Sequence, residues 1–102
     1  MSRDFYREIT KVDRLIHEPA RLAIMALLYG TKEADFLFIL RQTGLTKGNL
    51  SVHLSKLEEA GYIEIEKRFV GKKPQTLCRL TPKGQRAFER YLEWSRNFSR
   101  QI

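Results

Sequence analysis

The sequence predicts a mainly α-helical domain that carries one small antiparallel β-hairpin. Three observations predict it. Apolar residues recur at helical spacing in five stretches, most of them bracketed by capping, proline or glycine signals. A single stretch, "YIEIEKRF" (62–69), switches to a period of two and is followed by the turn "VGKKPQ" and a second short run, "TLCRLT". Two of the helical stretches are short and joined by the tight turn "TGLT" (43–46), the arrangement of a helix-turn-helix.

The elements follow in order. Residues 3–16 place Phe5, Ile9, Val12 and Ile16 on a narrow apolar stripe of a first helix. "HEPARLAIMALLYG" starts a second helix with Glu18 before Pro19, stops at Gly30, and is apolar nearly all round, so it is the expected centre of the core. "KEADFLFILRQTG" has Glu33 and Asp35 at its front and Arg41 near its end, as the helix dipole prefers. Its run Phe36 to Leu40 also fits a buried strand, but the length and the stop at Gly44 favour a helix. The fourth helix, 46–60, has Thr46 as N-cap, Leu50, Leu54 and Leu57 facing inward, and Gly61 as its stop. In the hairpin, Ile63, Ile65 and Phe69 share one side and Glu64, Glu66 and Arg68 the other. Thr81 and Pro82 open a last helix that runs to about Gln101.

A chain of 102 residues fits one domain, 1–102, with a modest core. Hydrophobic residues make up 42% and charged residues 30%, a folded rather than a disordered composition. No apolar run approaches the roughly 20 residues of a membrane span, and "MSRDFYREITKVDRL" lacks the uncharged core of a secretory signal. A soluble cytoplasmic protein is expected. The lone Cys78 cannot close an internal disulfide, and His17 and His53 lack zinc-ligand spacing, so neither a metal nor a cofactor is expected.

The formal charge of +7 favours a polyanionic partner, although soluble domains also carry such charge. Its distribution is more telling. Lys67, Arg68, Lys72, Lys73, Arg79, Lys83 and Arg86 fall in one acid-free stretch, while the remaining 12 bases and 12 acids cancel. The fourth helix is unusual in the same sense. Lys47 opens it, no acid precedes Glu58, and Glu58 and Glu59 close it, against the dipole rule that its neighbour obeys. An acid-free N-terminus with free amides is suited to phosphate, and the second helix of a helix-turn-helix enters the major groove by that end.

The candidate contacts follow from side-chain chemistry. Asn49 can pair with adenine, Ser51 and Ser55 reach phosphate or base, and Lys47 and Lys56 suit phosphate or guanine. Gly48 either lets backbone and DNA approach closely or is simply cheap in a first turn. A solvated polar face is the bland alternative for each residue taken singly, and the hairpin's charge too can be chance clustering. The set is stronger because the face lacks acids and a basic hairpin follows it.

The stretch "GLTKGNLSVHLSKLEEAGYIEIEKRFVGKKPQTLCRLTPKGQRAF" (44–88) resembles the winged-helix transcriptional regulators of the MarR and ArsR kind, especially their short stand-alone members. The likeness covers roughly residues 15–92 and rests on Leu50-Ser51, His53-Leu54, Leu57, Ala60-Gly61-Tyr62 and Leu80-Thr81-Pro82 with Gly84. It implies a recognition helix over 46–60 and a wing over 62–81 whose Lys72 and Lys73 grip the flanking backbone or minor groove, so that Thr46 to Lys56, Arg68 and Arg79 bound the DNA-binding surface. It also implies a homodimer on a roughly palindromic operator. Three departures stand out. Val52 is apolar where many members are polar or basic, which points to a thymine methyl or to less direct reading. The clustered Cys and His ligands of metal-sensing ArsR proteins are missing, and the chain is shorter than most MarR proteins, so no small-molecule effector is assigned. His53 reads as a brace for the recognition helix rather than a ligand or catalytic base.

Dimerisation also follows from the stripes themselves. Phe5, Ile9, Val12 and Ile16 of the first helix and Tyr91, Trp94 and Phe98 of the last exceed what the central helices cover, so residues 1–16 and 82–102 are the expected dimerisation helices. The alternative is that they close the monomer's own core. The function expected is that of a dimeric, sequence-specific regulator on double-stranded DNA. Its rival is a winged-helix protein-interaction module within a larger transcription or processing assembly. RNA binding is a weaker rival, since an A-form major groove excludes a helix. No paired carboxylates, Cys/His couple or glycine-rich phosphate loop marks an enzyme.

Overall fold

The computed structural model of the chain describes residues 3–102. Its elements are α1 (Arg3–Ile9), α2 (Pro19–Thr31), β1 (Glu33–Asp35), α3 (Phe36–Thr43), α4 (Lys47–Glu59), β2 (Ile63–Val70), β3 (Lys73–Leu80) and α5 (Pro82–Gln101). The strands make one antiparallel sheet in the order β1-β3-β2. The mainly helical reading holds, and the expected hairpin gains a third strand.

The first helix is about half as long as its apolar spacing predicts. Thr10 turns its hydroxyl back to the Arg7 carbonyl at 2.7 Å, and one Asp13 oxygen accepts from the amides of Leu15 and Ile16 at 3.0 and 3.2 Å. Such local bonds compete with the helical ladder, so α1 stops at Ile9. The other Asp13 oxygen accepts from the Tyr62 hydroxyl at 2.6 Å, tying this turn to the residue after the α4 C-terminal glycine. Burial and that bond, with the Asp13 charge, push the Tyr62 hydroxyl up to about 12. Residues 1 and 2 of the expected segment lie outside the described residues.

α2 is the central element. Glu18 caps it by accepting from the amides of Ala20 and Arg21 at 3.0 and 2.9 Å, and Pro19 opens it. It runs through Gly30 to Thr31 instead of stopping at the glycine. Lys32, at φ 70°, ends it with a bond from its N–H to the Leu28 carbonyl. Ile24, Met25 and Leu28 are wholly buried among α3, α4, α5 and the sheet.

The Lys32 turn delivers the chain to the edge of β3, where the Leu80 amide donates to the Lys32 carbonyl at 2.9 Å. Glu33, Ala34 and Asp35 then pair with Arg79, Cys78 and Leu77. Both acids expected at the front of the next helix are therefore strand residues, and only Asp35 serves it, as the N-cap that accepts from the Phe38 amide at 2.7 Å. Phe36 to Leu40 are helical, and Gly44 in the left-handed region closes α3.

Leu50, Leu54 and Leu57 bury the inner face of α4 as their spacing requires. Gly61, at φ 78°, turns the chain, with its N–H on the Glu58 carbonyl and that of Tyr62 on the Leu57 carbonyl. β2 alternates as expected at the base, where Ile63 is a core residue, while in β3 the adjacent Leu77 and Cys78 are both buried. Farther out the core ends, so Phe69, placed with Ile63 and Ile65 by periodicity, is 74% exposed. β3 is longer than "TLCRLT" and absorbs Lys73, Pro74 and Gln75, which leaves Gly71 and Lys72 to make the turn.

α5 is locked to the α4–β2 junction. Thr81 donates its hydroxyl to the Gly61 carbonyl at 2.6 Å and accepts from the Gly84 amide at 2.9 Å, and its N–H reaches the Tyr62 carbonyl. A side chain at Gly84 would collide with that same carbonyl, which is why α5 carries glycine there. The hairpin and α5 project from this centre. The molecule measures 59 × 26 × 21 Å with a radius of gyration of 15.5 Å, against about 13 Å for a compact chain of this length. Among the described residues no helix is long and apolar enough to cross a membrane.

Candidate nucleic-acid interface

The outer face of α4 is continuous and exposed. Thr46, Lys47, Gly48, Asn49, Ser51, Val52, Ser55 and Lys56 all lie on it, brought together by the burial of the three leucines behind them. The Thr46 hydroxyl accepts from the Asn49 amide at 3.2 Å, and the first intrahelical bond is Leu50 N–H to the Thr46 carbonyl. The amides of Lys47 and Gly48 precede that bond and point out of the helix end, where the dipole is positive. Nothing lies within 4 Å of where a Gly48 side chain would begin, so the chain's own packing does not demand glycine there. Val52 is 53% exposed and forms an apolar spot in the middle of the polar face.

His53 holds this helix to the start of α2. A guanidinium nitrogen of Arg21 donates to His53 Nδ1 at 3.1 Å, and the Arg21 Nε donates to the Leu15 carbonyl at 2.6 Å. Because guanidinium only donates, Nδ1 is the unprotonated nitrogen in this arrangement. Glu18 Oε2 stands 3.6 Å from both partners. Burial works to raise the Glu18 carboxyl, but the amides of Arg21 and Ala20 and the charge of Arg21 outweigh it and hold the group below its ordinary value. The brace read for His53 is thus a three-residue cluster, of which Glu18 was legible only as a helix start and Arg21 not at all.

The wing divides into two parts. At its base Arg79 lies 3.1 Å from Glu33 and 3.7 Å from both Glu64 and Glu66, so three carboxylates balance its charge and link it to the sheet. Arg68 is intermediate, 3.6 Å from Glu66 and hydrogen-bonded to Gln75. At the tip Lys72 and Lys73 are exposed and have no ion-pair partner among the described residues, and the same holds for Lys67, Lys47 and Lys56. Lys67 was visible in the basic run but not singled out as a contact.

The residues expected at a dimer interface meet largely within the chain. Phe5 stacks on Phe98 with centroids 5.8 Å apart, Phe98 on Trp94 at 5.5 Å, and the Trp94 ring nitrogen donates to the Glu8 carbonyl at 3.2 Å. Tyr91 is buried, with its hydroxyl 2.9 Å from His17 Nδ1. Ile16 is completely buried in the core, so it is not a surface residue at all. Ile9, Val12, Trp94 and Phe98 stay half-exposed, and a groove between α1 and α5 is lined by Phe5, Ile9, Trp94 and Phe98 with Asp4, Glu8 and Glu93 at its rim. Among the described residues no group of three or more His, Cys, Asp or Glu side chains could hold a metal.

Residues 20–98, from the first turn of α2 to near the end of α5, match the family described as the winged helix DNA-binding domain. The sequence is 37% identical over 79 residues to an uncharacterised protein of Methanocaldococcus jannaschii, across 78% of this chain and 86% of that one. The fold is similar to that of a transcriptional regulator homologue from Pyrococcus horikoshii OT3, with a TM-score of 0.83, 30% identity and 92% of each chain covered. It is also similar in fold to overoxidised AbfR, solved bound to DNA, with a TM-score of 0.73 and 19% identity over 96% of this chain and 67% of that one. An ArsR family transcriptional regulator gives a TM-score of 0.60 at 16% identity, over 100% and 97% of the two chains. With this sheet, this helix-turn-helix and this match over most of its length, the chain belongs to the winged helix DNA-binding domain family.

Proposed function

We propose that the chain acts as a homodimeric, sequence-specific regulator on double-stranded DNA, without catalysis of its own and in the cytoplasm where that DNA lies. The observation that carries this reading is the exposed face of α4, free of acids from Thr46 to Lys56 and led by an N-terminus with outward amides. That end enters the major groove, with Asn49 the principal base reader and Lys47, Ser51, Ser55 and Lys56 dividing phosphate and base contacts. The wing's lysines lie along the flanking backbone or minor groove. The half-exposed residues Ile9, Val12, Trp94 and Phe98, with Phe5 behind them, pair with a second copy and set two α4 helices about 34 Å apart.

Selection of binding sites from random duplexes at two salt concentrations tests the reading. A roughly palindromic site and a particle of twice 12.0 kDa in sedimentation are expected. Asn49→Ala should then lose about 1–3 kcal/mol on the selected site and little on random duplex. Weak, sequence-blind binding together with a copurifying protein would favour a protein-interaction module instead.

A further inference from the structure

Phe69 stands out once the charges are assigned. It is 74% exposed, more than any other large hydrophobic side chain among the described residues except Ile102 at the chain end. Its neighbour Val70 is 56% exposed. Neither belongs to the core cluster or to the residues packed against it. Periodicity puts Phe69 and Lys67 on the face of β2 that, at its base, turns Ile63 and Ile65 toward the helices. Across the ladder Phe69 faces Pro74, which stiffens the opposing strand. Around it are Lys67, Arg68, Lys72 and Lys73, three of them without carboxylate partners among the described residues.

An aromatic ring held out at the end of a stiff, lysine-rich hairpin is an ill fit for solvent and a good fit for one polyanion. The lysines bring it to phosphates, whose charge they match, and the ring needs an apolar contact beyond them. In the minor groove that contact is the deoxyribose wall and the gap between base pairs, where apolar side chains partially unstack a step and bend the duplex. Steps that unstack easily, such as TA and CA, accept such a wedge at least cost. Resting on the regulator reading above, we propose that Phe69 is an apolar minor-groove wedge, so that the wing selects flexible base steps beside the recognition site as well as gripping the backbone.

The test uses the full chain on the selected duplex, with the flanking step set to TA or to GC, and compares wild type, Phe69→Ala and Phe69→Leu. Affinity is read by fluorescence anisotropy over a salt series, and bending by energy transfer between the duplex ends. Wild type should prefer TA over GC and bend the TA duplex. Phe69→Ala should lose about tenfold on the TA duplex, the burial of most of an aromatic side chain, with the preference and the bend, while its salt slope stays that of wild type because no phosphate contact is removed. Phe69→Leu should keep most of both. Thermal melts of the three proteins should coincide, since the ring lies outside the core cluster and is mostly exposed. If Phe69→Ala matches wild type in affinity, step preference and bend on a specifically bound duplex, the wedge is overturned and the regulator reading stands. If wild type binds no duplex specifically, both fall together.

Discussion

At the base of the β2–β3 hairpin Arg79 is enclosed by Glu33, Glu64 and Glu66, and Ile63 lies opposite Leu80 at the edge of the core. At its tip Lys67, Lys72 and Lys73 have no carboxylate partner among the described residues, and Phe69 stands in solvent. Both ends combine basic and apolar side chains on one hairpin. The base rests on the helices, where charge is paired and apolar groups are covered, whereas the eight-residue strands overhang a core that supports only the first half of β2 and the second half of β3. What separates a structural segment from an available one is therefore its position along the strand, and neither charge count nor hydrophobicity alone reveals it.

Mutations along this hairpin break or sharpen the comparison. The largest difference should come from one face of one strand: Ile63→Ala should cost about 2–5 kcal/mol in urea unfolding, while Phe69→Ala stays within about 0.5 kcal/mol of wild type. Equal losses would mean that the tip is packed after all. Next in size is Gly84→Ala, which forces a methyl group against the Tyr62 carbonyl under the base and should cost about 1–3 kcal/mol, read by the same unfolding curves.

Charge removal gives a smaller, divided effect. Lys72→Ala should leave the melting temperature unchanged and lower the salt slope of DNA binding by about one. Arg79→Ala should lower the melting temperature slightly by leaving three carboxylates facing one another, and should leave the salt slope unaltered. A reversal of that pattern would exchange the roles of base and tip. The smallest effect is in alkali. Because the folded chain holds the Tyr62 proton more tightly than an unfolded chain, this contribution is whole below pH about 10 and is lost as pH rises through about 12. The urea midpoint of wild type should fall across that window by more than that of Tyr62→Phe.

Much of the site was legible because it depends on local rules. Thr46, Leu50, Leu54, Leu57 and Gly61 mark α4 by capping, spacing and termination, and the same residues dictate which side chains are left outside. Thr81 and Pro82 announce α5 in the same way. The misreadings share a different cause. β1 is three residues long, too short for any period to show, and exists only because β3 lies beside it. α1 is cut short by Asp13, whose carboxylate is oriented by Tyr62 from a distant part of the chain. The ion pairs of Arg79 were not legible because its partners are separated from it in sequence and reach it only through strand register.

By itself the sequence determined where α4 begins and ends and where α5 begins, which face of α4 is apolar, and that its opposite face carries no acid from Thr46 to Lys56, since each of these is set by neighbours within a few residues. Only the tertiary structure decided which charges remain available, which aromatic residues close on their own chain and which are left outside. Those outcomes depend on distances between segments that no local pattern encodes, because ion pairing and burial act through space.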